Sequence, residues 1–146
     1  MNRIYYPYSE FRDDLKHLVK KIDQEFDAII PIARGGLSMG QILGEYYNIR
    51  QVYAINTIGY NDTKKLDKVK VFNIPNLQNV KSVLIVDDIV DSGDTLVEIL
   101  KVFKREYPTV LFLSASIFYK PTASIEPTWW VKEAKSWIDF FWSKDL

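Results

Sequence analysis

Val83-Leu84-Ile85-Val86 is a wholly apolar run that ends in two adjacent carboxylates, Asp87 and Asp88. Asp91 and Asp94 follow, with Ser92, Gly93 and Thr95 among them. The apolar run reads as a central, buried strand. The glycine-bearing stretch reads as a tight loop, and residues 95–106 as a helix with Leu96, Ile99, Leu100 and Phe103 on one face. Tyr107-Pro108 stops that helix, because proline disfavours helical geometry in the residue before it. A buried strand feeding a helix through a short loop is half of a crossover unit. It commits the chain to an α/β fold with a mostly parallel sheet flanked by helices.

The rest of the chain is consistent with that commitment. Phe11, Leu15, Leu18, Val19, Ile22 and Phe26 recur at helical spacing, with Ser9 as the expected cap and Asp13 and Asp14 early, where the helix dipole favours acids. His17, the only histidine, falls on the polar side and has no chemical role in this reading. Residues 28–32 read as a buried strand ending at Ala33-Arg34-Gly35-Gly36, and 37–47 as a helix whose Gly40 and Gly44 allow close approach to a sheet. Residues 51–58 read as a strand, 59–68 as a polar stretch without apolar period, 68–74 as a half-exposed strand, and Pro75-Asn76 as a turn. Residues 110–119 read as a last core strand before Lys120-Pro121. The tail is dense in aromatics, with Trp129, Trp130, Trp137, Phe140, Phe141 and Trp142.

A length of 146 residues suits one domain, and 47% hydrophobic residues can fill its core. Net charge is zero, which gives no electrostatic reason to expect nucleic acid or a membrane surface as partner. Cysteine is absent, so disulfides and thiolate-bound zinc are excluded. The first residues are too polar for a signal peptide, and no apolar run approaches the roughly 20 residues of a membrane span. A cytoplasmic domain is the expectation.

In parallel sheets, ligands bind beyond the carboxyl ends of the strands. Residues 91–95 join a strand to a helix N-terminus, where backbone N–H groups and the dipole favour an anion, and suit a phosphate monoester. Asp87 and Asp88 need another partner. Carboxylates accept from sugar hydroxyls and hold Mg²⁺. A ligand with a phosphate, a diol and a metal-bound diphosphate meets both demands, which describes phosphoribosyl diphosphate (PRPP). Arg34-Gly35-Gly36 is a second place where amides and a guanidinium can meet phosphate. The bland alternative is a polar loop in which Asp91 or Ser92 merely caps the next helix. No GxxxxGK[ST] or GxGxxG pattern is present.

The stretch VLIVDDIVDSGDTL closely resembles the PRPP-binding motif of the type I phosphoribosyltransferases, and Ala33-Arg34-Gly35-Gly36 is similar to the diphosphate loop of the bacterial xanthine-guanine branch. The resemblance runs from about residue 4 to 142. It implies the type I fold in one domain, 1–146, with a core over about 8–120 and a small hood over about 121–142 completed by the N-terminus. It also implies transfer of a phosphoribosyl group from PRPP to N9 of a 6-oxopurine in purine salvage, with Mg²⁺ as cofactor. Asp87 and Asp88 would hold the ribose, with Asp88 near the metal. Asp91, Ser92, Gly93, Asp94 and Thr95 would hold the 5′-phosphate, with the Asp94 side chain turned away. Arg34, Gly35, Gly36 and Lys65 would meet diphosphate, in a loop where a non-proline cis peptide is common in the family. Asp91 would be the catalytic base, Lys120 would donate to the purine O6, and Trp137 and Ile138 would stack on and read the base, with Trp130 competing for the stacking role. Residues 59–70, with Lys64, Lys65 and Lys68, resemble the family's closing loop. A homodimer or homotetramer is implied. A second reading is a regulator that binds PRPP or a nucleotide without transferase activity.

Overall fold

The computed structural model describes residues 2–61 and 67–146. Lys64 and Lys65 lie outside the described residues, and with them the expected diphosphate contact of Lys65. The elements are β1 (Arg3–Tyr6), α1 (Tyr8–Lys21), β2 (Ala28–Ala33), α2 (Leu37–Tyr47), β3 (Ile55–Asn61) and β4 (Asp67–Phe72). They continue with β5 (Ser82–Val90), α3 (Asp94–Glu106), β6 (Leu111–Tyr119), β7 (Trp129–Glu133), β8 (Trp137–Phe140) and α4 (Phe141–Lys144).

Six strands form one sheet in the order β4-β3-β2-β5-β6-β7, parallel except for the antiparallel β3–β4 pair. Side chains alternate across it, as strand geometry requires. Ile29, Leu84, Val86, Ala115 and Ile117 meet Phe11, Leu15 and Leu18 of α1 and Met39 and Leu43 of α2 on one face. Ile30, Ile32, Val83, Ile85 and Phe112 meet Leu96, Ile99 and Phe103 of α3 on the other. Gly40 and Gly44 do bring α2 close. A Cβ at Gly40 would lie 2.6 Å from Pro31 Cγ, and one at Gly44 2.9 Å from Val52 Cγ2.

A separate two-stranded parallel sheet, β1–β8, forms the hood. Tyr6 of β1 is buried edge-on against Phe118 and Phe140, with ring centroids 5.0 and 5.6 Å away. Its hydroxyl donates to the buried carboxylate of Asp14, which also receives Lys132 Nζ at 3.0 Å. Burial first, then the hydrogen bond to Asp14, pushes the Tyr6 phenol upward in pKa. This buried pair ties β1, α1 and β7 together. Residues 129–133, expected in the hood, instead extend the main sheet beside β6.

Several boundaries differ from the sequence reading. Ser9 is not a cap: α1 already starts at Tyr8 behind Pro7, whose extended backbone makes no side-chain cap. Asp14, expected as an early acid favoured by the helix dipole, is a buried acceptor for the Tyr6 hydroxyl. The strand expected over 51–58 begins at Ile55 and runs to Asn61, with only an isolated Ile29–Val52 bridge before it. Residues 59–61 and 67–68, expected in a polar loop, pair across a hairpin. The central strand does not stop at Val86. Pairing with β6 carries it through Asp87 to Val90, because ladder hydrogen bonds depend on backbone, not on side-chain charge. Among the described residues no helix is long and apolar enough to cross a membrane.

Candidate functional site

The chain leaves β2 toward β3 on one side and β5 toward β6 on the other, so the crossover direction reverses between β2 and β5. A crevice opens beyond the strand ends at such a switch point. The loop after β2 and the acids at the end of β5 meet there. A Cβ at Gly35 would fall 2.2 Å from Asp88 Oδ2, and one at Gly36 2.5 Å from the Val86 carbonyl oxygen. Only glycine lets these two strand ends come so close. The Gly36 N–H donates to the Ile32 carbonyl at 2.9 Å, closing the turn, and the Ala33–Arg34 peptide is cis, as the resemblance implies. Arg34 is exposed beside it.

Asp87 and Asp88 sit side by side, half-buried, and the Asp88 N–H donates to Asp87 Oδ1 at 2.9 Å. Burial pushes the Asp87 carboxyl well above the usual carboxylate range, and the neighbouring Asp88 charge pushes it further. Burial also raises Asp88, while hydrogen bonds from Asp87 and from backbone N–H groups partly oppose it. Two acids held against their own repulsion form a pair of hard oxygen donors short of positive charge. Among the described residues no three His, Cys, Asp or Glu side chains converge on one point. Two adjacent carboxylates are a donor set that Mg²⁺ can use, since it binds through one or two carboxylates and takes its other ligands from water and substrate oxygens.

The loop 91–93 turns sharply at Gly93, whose φ is +88°. Asp94 N–H, the first of α3, donates to Ser92 Oγ at 3.2 Å, while the N-cap position itself is Gly93, which has no side chain. Of the two capping candidates, Ser92 makes a bond of that kind, and Asp91 instead lies 3.4 Å from Lys120 Nζ. Behind the loop, Ser124 N–H and Oγ both donate to the Ser92 carbonyl, at 2.8 and 3.1 Å. Ser124 carried no sequence signal, since its bond crosses 32 positions. Asp87, Asp91, Ser92, Gly93 and Thr95 line a cavity of about 110 Å³, while Asp94 is exposed and does not line it. We expect Gly93→Ala to cost about 1–2 kcal/mol in urea denaturation, the cost of a side chain in left-handed backbone. A Cβ there would also lie 2.7 Å from Ser124 Oγ. An unchanged midpoint would show that the loop relaxes freely.

Asp91 and Ile89 also line a second, open cleft of about 570 Å³, beside Lys120, Trp137 and Ile138. Lys120 Nζ lies 3.4 Å from Asp91 Oδ1, with both side chains partly exposed. Trp137 is half exposed into this cleft. Its N–H donates to the Asn2 carbonyl at 3.0 Å, and the Arg3 guanidinium lies 5.7 Å over its ring. Arg3 is itself held by Asp139 at 2.7 and 3.0 Å. Trp130 does not line the cleft: it packs on Tyr119 at 5.1 Å and donates to Glu126 at 3.0 Å. Of the expected residues, the structure brings Asp87, Asp91, Ser92, Gly93 and Thr95 to one cavity and Asp91, Lys120, Trp137 and Ile138 to the next. Gly35 sits on Asp88 behind them. Arg3, Lys135 and Asp139 were missed, because β1 is short and mostly exposed and pairs with a strand at the far end of the chain.

Residues 4–146 match the model of the phosphoribosyl transferase domain. A xanthine-guanine phosphoribosyltransferase of Idiomarina loihiensis is 27% identical over 126 residues, covering 84% of this chain and 74% of that protein. One from Cereibacter sphaeroides is 31% identical over 123 residues, covering 82% and 70%. The solved xanthine-guanine-hypoxanthine phosphoribosyltransferase of Helicobacter pylori superimposes with a TM-score of 0.91 at 38% identity, covering 99% of this chain and 96% of that one.

Proposed function

The chain belongs to the phosphoribosyl transferase family, and we propose that residues 1–146 act as one domain that transfers the 5-phosphoribosyl group from PRPP to N9 of a 6-oxopurine, releasing diphosphate. The observation that carries this reading is the position of Asp91. It lines both the small cavity at the α3 N-terminus and the larger cleft that holds Lys120 and Trp137. A phosphorylated sugar in the first and a flat base in the second would meet beside its carboxylate.

Each residue then has a task. The backbone N–H groups of 92–95 with the Ser92 and Thr95 hydroxyls bind the 5′-phosphate, and Asp87 and Asp88 accept the two ribose hydroxyls. Arg34 and the Gly35 N–H bind diphosphate, while the Gly36 N–H, donated to the Ile32 carbonyl, holds the turn that presents them. Asp88 would help to hold Mg²⁺, which when bound would supply positive charge to the diphosphate leaving group. Trp137 stacks on the base, Ile138 reads it through its backbone, and Lys120 donates to O6. Lys120 faces an acceptor on guanine, xanthine or hypoxanthine but a donor amino group on adenine. Asp91 takes the proton the base must lose near N7 as N9 attacks C1 of the ribose. The positive charge that builds at C1 matches other oxocarbenium-like displacements, and attack from the face opposite diphosphate inverts that carbon. The reading places the enzyme in purine salvage in the cytoplasm, as a homodimer or homotetramer.

Product identification tests this reading. Protein incubated with PRPP, Mg²⁺ and a 6-oxopurine is expected to yield an N9-linked β-nucleoside 5′-monophosphate, identified by mass and NMR. A product linked through another nitrogen, or free ribose phosphate alone, contradicts it.

A further inference from the structure

The proposed pose fixes two sides of the purine. N9 points to the Asp87–Asp88 end, and the O6/N7 edge points to Lys120 and Asp91. In that pose the remaining edge carries C2 and is turned toward the part of the cleft lined by Ala134, Lys135 and Ser136. That edge is where the 6-oxopurines differ. Hypoxanthine has only hydrogen at C2, guanine has an amino donor, and xanthine has a carbonyl acceptor.

Four cations line the cleft: Arg3, Lys120, Lys135 and Lys144. Three are engaged. Arg3 forks onto Asp139, Lys144 lies 3.7 Å from the same carboxylate, and Lys120 lies 3.4 Å from Asp91. Among the described residues, Lys135 alone of the four has no ion pair or side-chain hydrogen bond. Its backbone is nonetheless fixed. The three-residue link between β7 and β8 is pinned by Ala134 N–H donating to the Tyr119 carbonyl at 2.8 Å and Trp137 N–H donating to the Asn2 carbonyl at 3.0 Å. An ammonium on a four-carbon stem, anchored at its base and unclaimed at its tip, stands beside the one variable edge of the base.

We propose that Lys135 is a specificity-determining residue whose ammonium donates to an oxygen at purine C2, so that the protein prefers xanthine over guanine and hypoxanthine. Guanine would set an amino donor against a donor, and hypoxanthine offers nothing to bind. Xanthine also ionises more readily than the other two, and an unpaired ammonium favours the anion. This inference rests on the phosphoribosyl-transfer reading.

The test is kcat/KM for xanthine, guanine and hypoxanthine at saturating PRPP and Mg²⁺, in the natural chain and in Lys135→Met, Lys135→Arg and Lys135→Glu. Lys135 is exposed in a link outside the core, so these variants are expected to fold, which thermal melting checks. The natural chain should favour xanthine over hypoxanthine about tenfold. Lys135→Met should lower that ratio about tenfold, through KM for xanthine, while Lys135→Arg keeps it and Lys135→Glu turns the preference toward guanine. A natural chain that prefers guanine or hypoxanthine to xanthine, or a ratio unchanged in Lys135→Met, overturns the Lys135 assignment and leaves phosphoribosyl transfer standing. No turnover with any base removes both.

Discussion

Asp91→Asn is expected to lower kcat with a 6-oxopurine about a hundredfold, within the range for loss of a positioned proton acceptor, while leaving KM for PRPP nearly unchanged. The substitution keeps shape and a hydrogen-bonding oxygen but removes the basic group. Asp91 lines both cavities, and Lys120 lies 3.4 Å away. Its loop is set from behind by Ser124 and turned by Gly93, neither of which the substitution touches. A separation of kcat from PRPP binding is therefore the signature of its role. A loss below threefold in steady-state kinetics would return Asp91 to the status of a polar loop residue.

Asp87→Asn and Asp88→Asn are expected to move stability and activity in opposite directions. Both carboxyls are held above the usual range, chiefly by burial. The folded protein thus keeps protons that the unfolded chain has already released. Stability present at low pH is lost as pH rises from the ordinary carboxylate range through the raised folded values. An uncharged amide escapes that loss. Each variant should gain about 1 kcal/mol over the natural chain at pH 8, or about 2–4 °C in melting temperature at this size, and little at pH 4. Activity should fall about a hundredfold or more, because each variant loses one charge-assisted hydrogen bond to a ribose hydroxyl, and Asp88→Asn also loses part of the proposed metal site. Urea denaturation at the two pH values, with kcat/KM for PRPP, reads both effects. Variants less stable than the natural chain at pH 8, or fully active, would contradict the account. Such a trade is the expected cost of holding a strained pair of charges ready for a cation and a sugar.

What could be read from the sequence, and what could not, divides along physical lines. The helix α2 was legible at its observed bounds, and α3 to within one residue, because an amphipathic or glycine-marked period is written locally. The acids were legible as a site, yet their strand was read as ending at Val86, since charged side chains break the apolar signal while the backbone goes on pairing to Val90. The approach of Gly35 to Asp88 joins a loop and a strand more than fifty positions apart and leaves no trace in either. The hood was harder still. Arg3–Tyr6 is four residues, mostly exposed, and acquires its meaning only by pairing with Trp137–Phe140. That pairing also sets the two candidate tryptophans apart: Trp137 lines the cleft, while Trp130 on β7 packs on Tyr119 and donates to Glu126.

The central claim is that a PRPP site and a 6-oxopurine site share one cleft. Diphosphate release by the purified protein with PRPP and Mg²⁺, measured separately with guanine, xanthine, hypoxanthine, adenine, orotate and uracil, tests it most directly. The account predicts release with one or more of the first three and none above background with adenine, orotate or uracil. Release with adenine or a pyrimidine would contradict the roles given to Asp91 and Lys120. No release with any base, while PRPP still raises the melting temperature, would contradict the transferase itself and leave a PRPP-binding regulator.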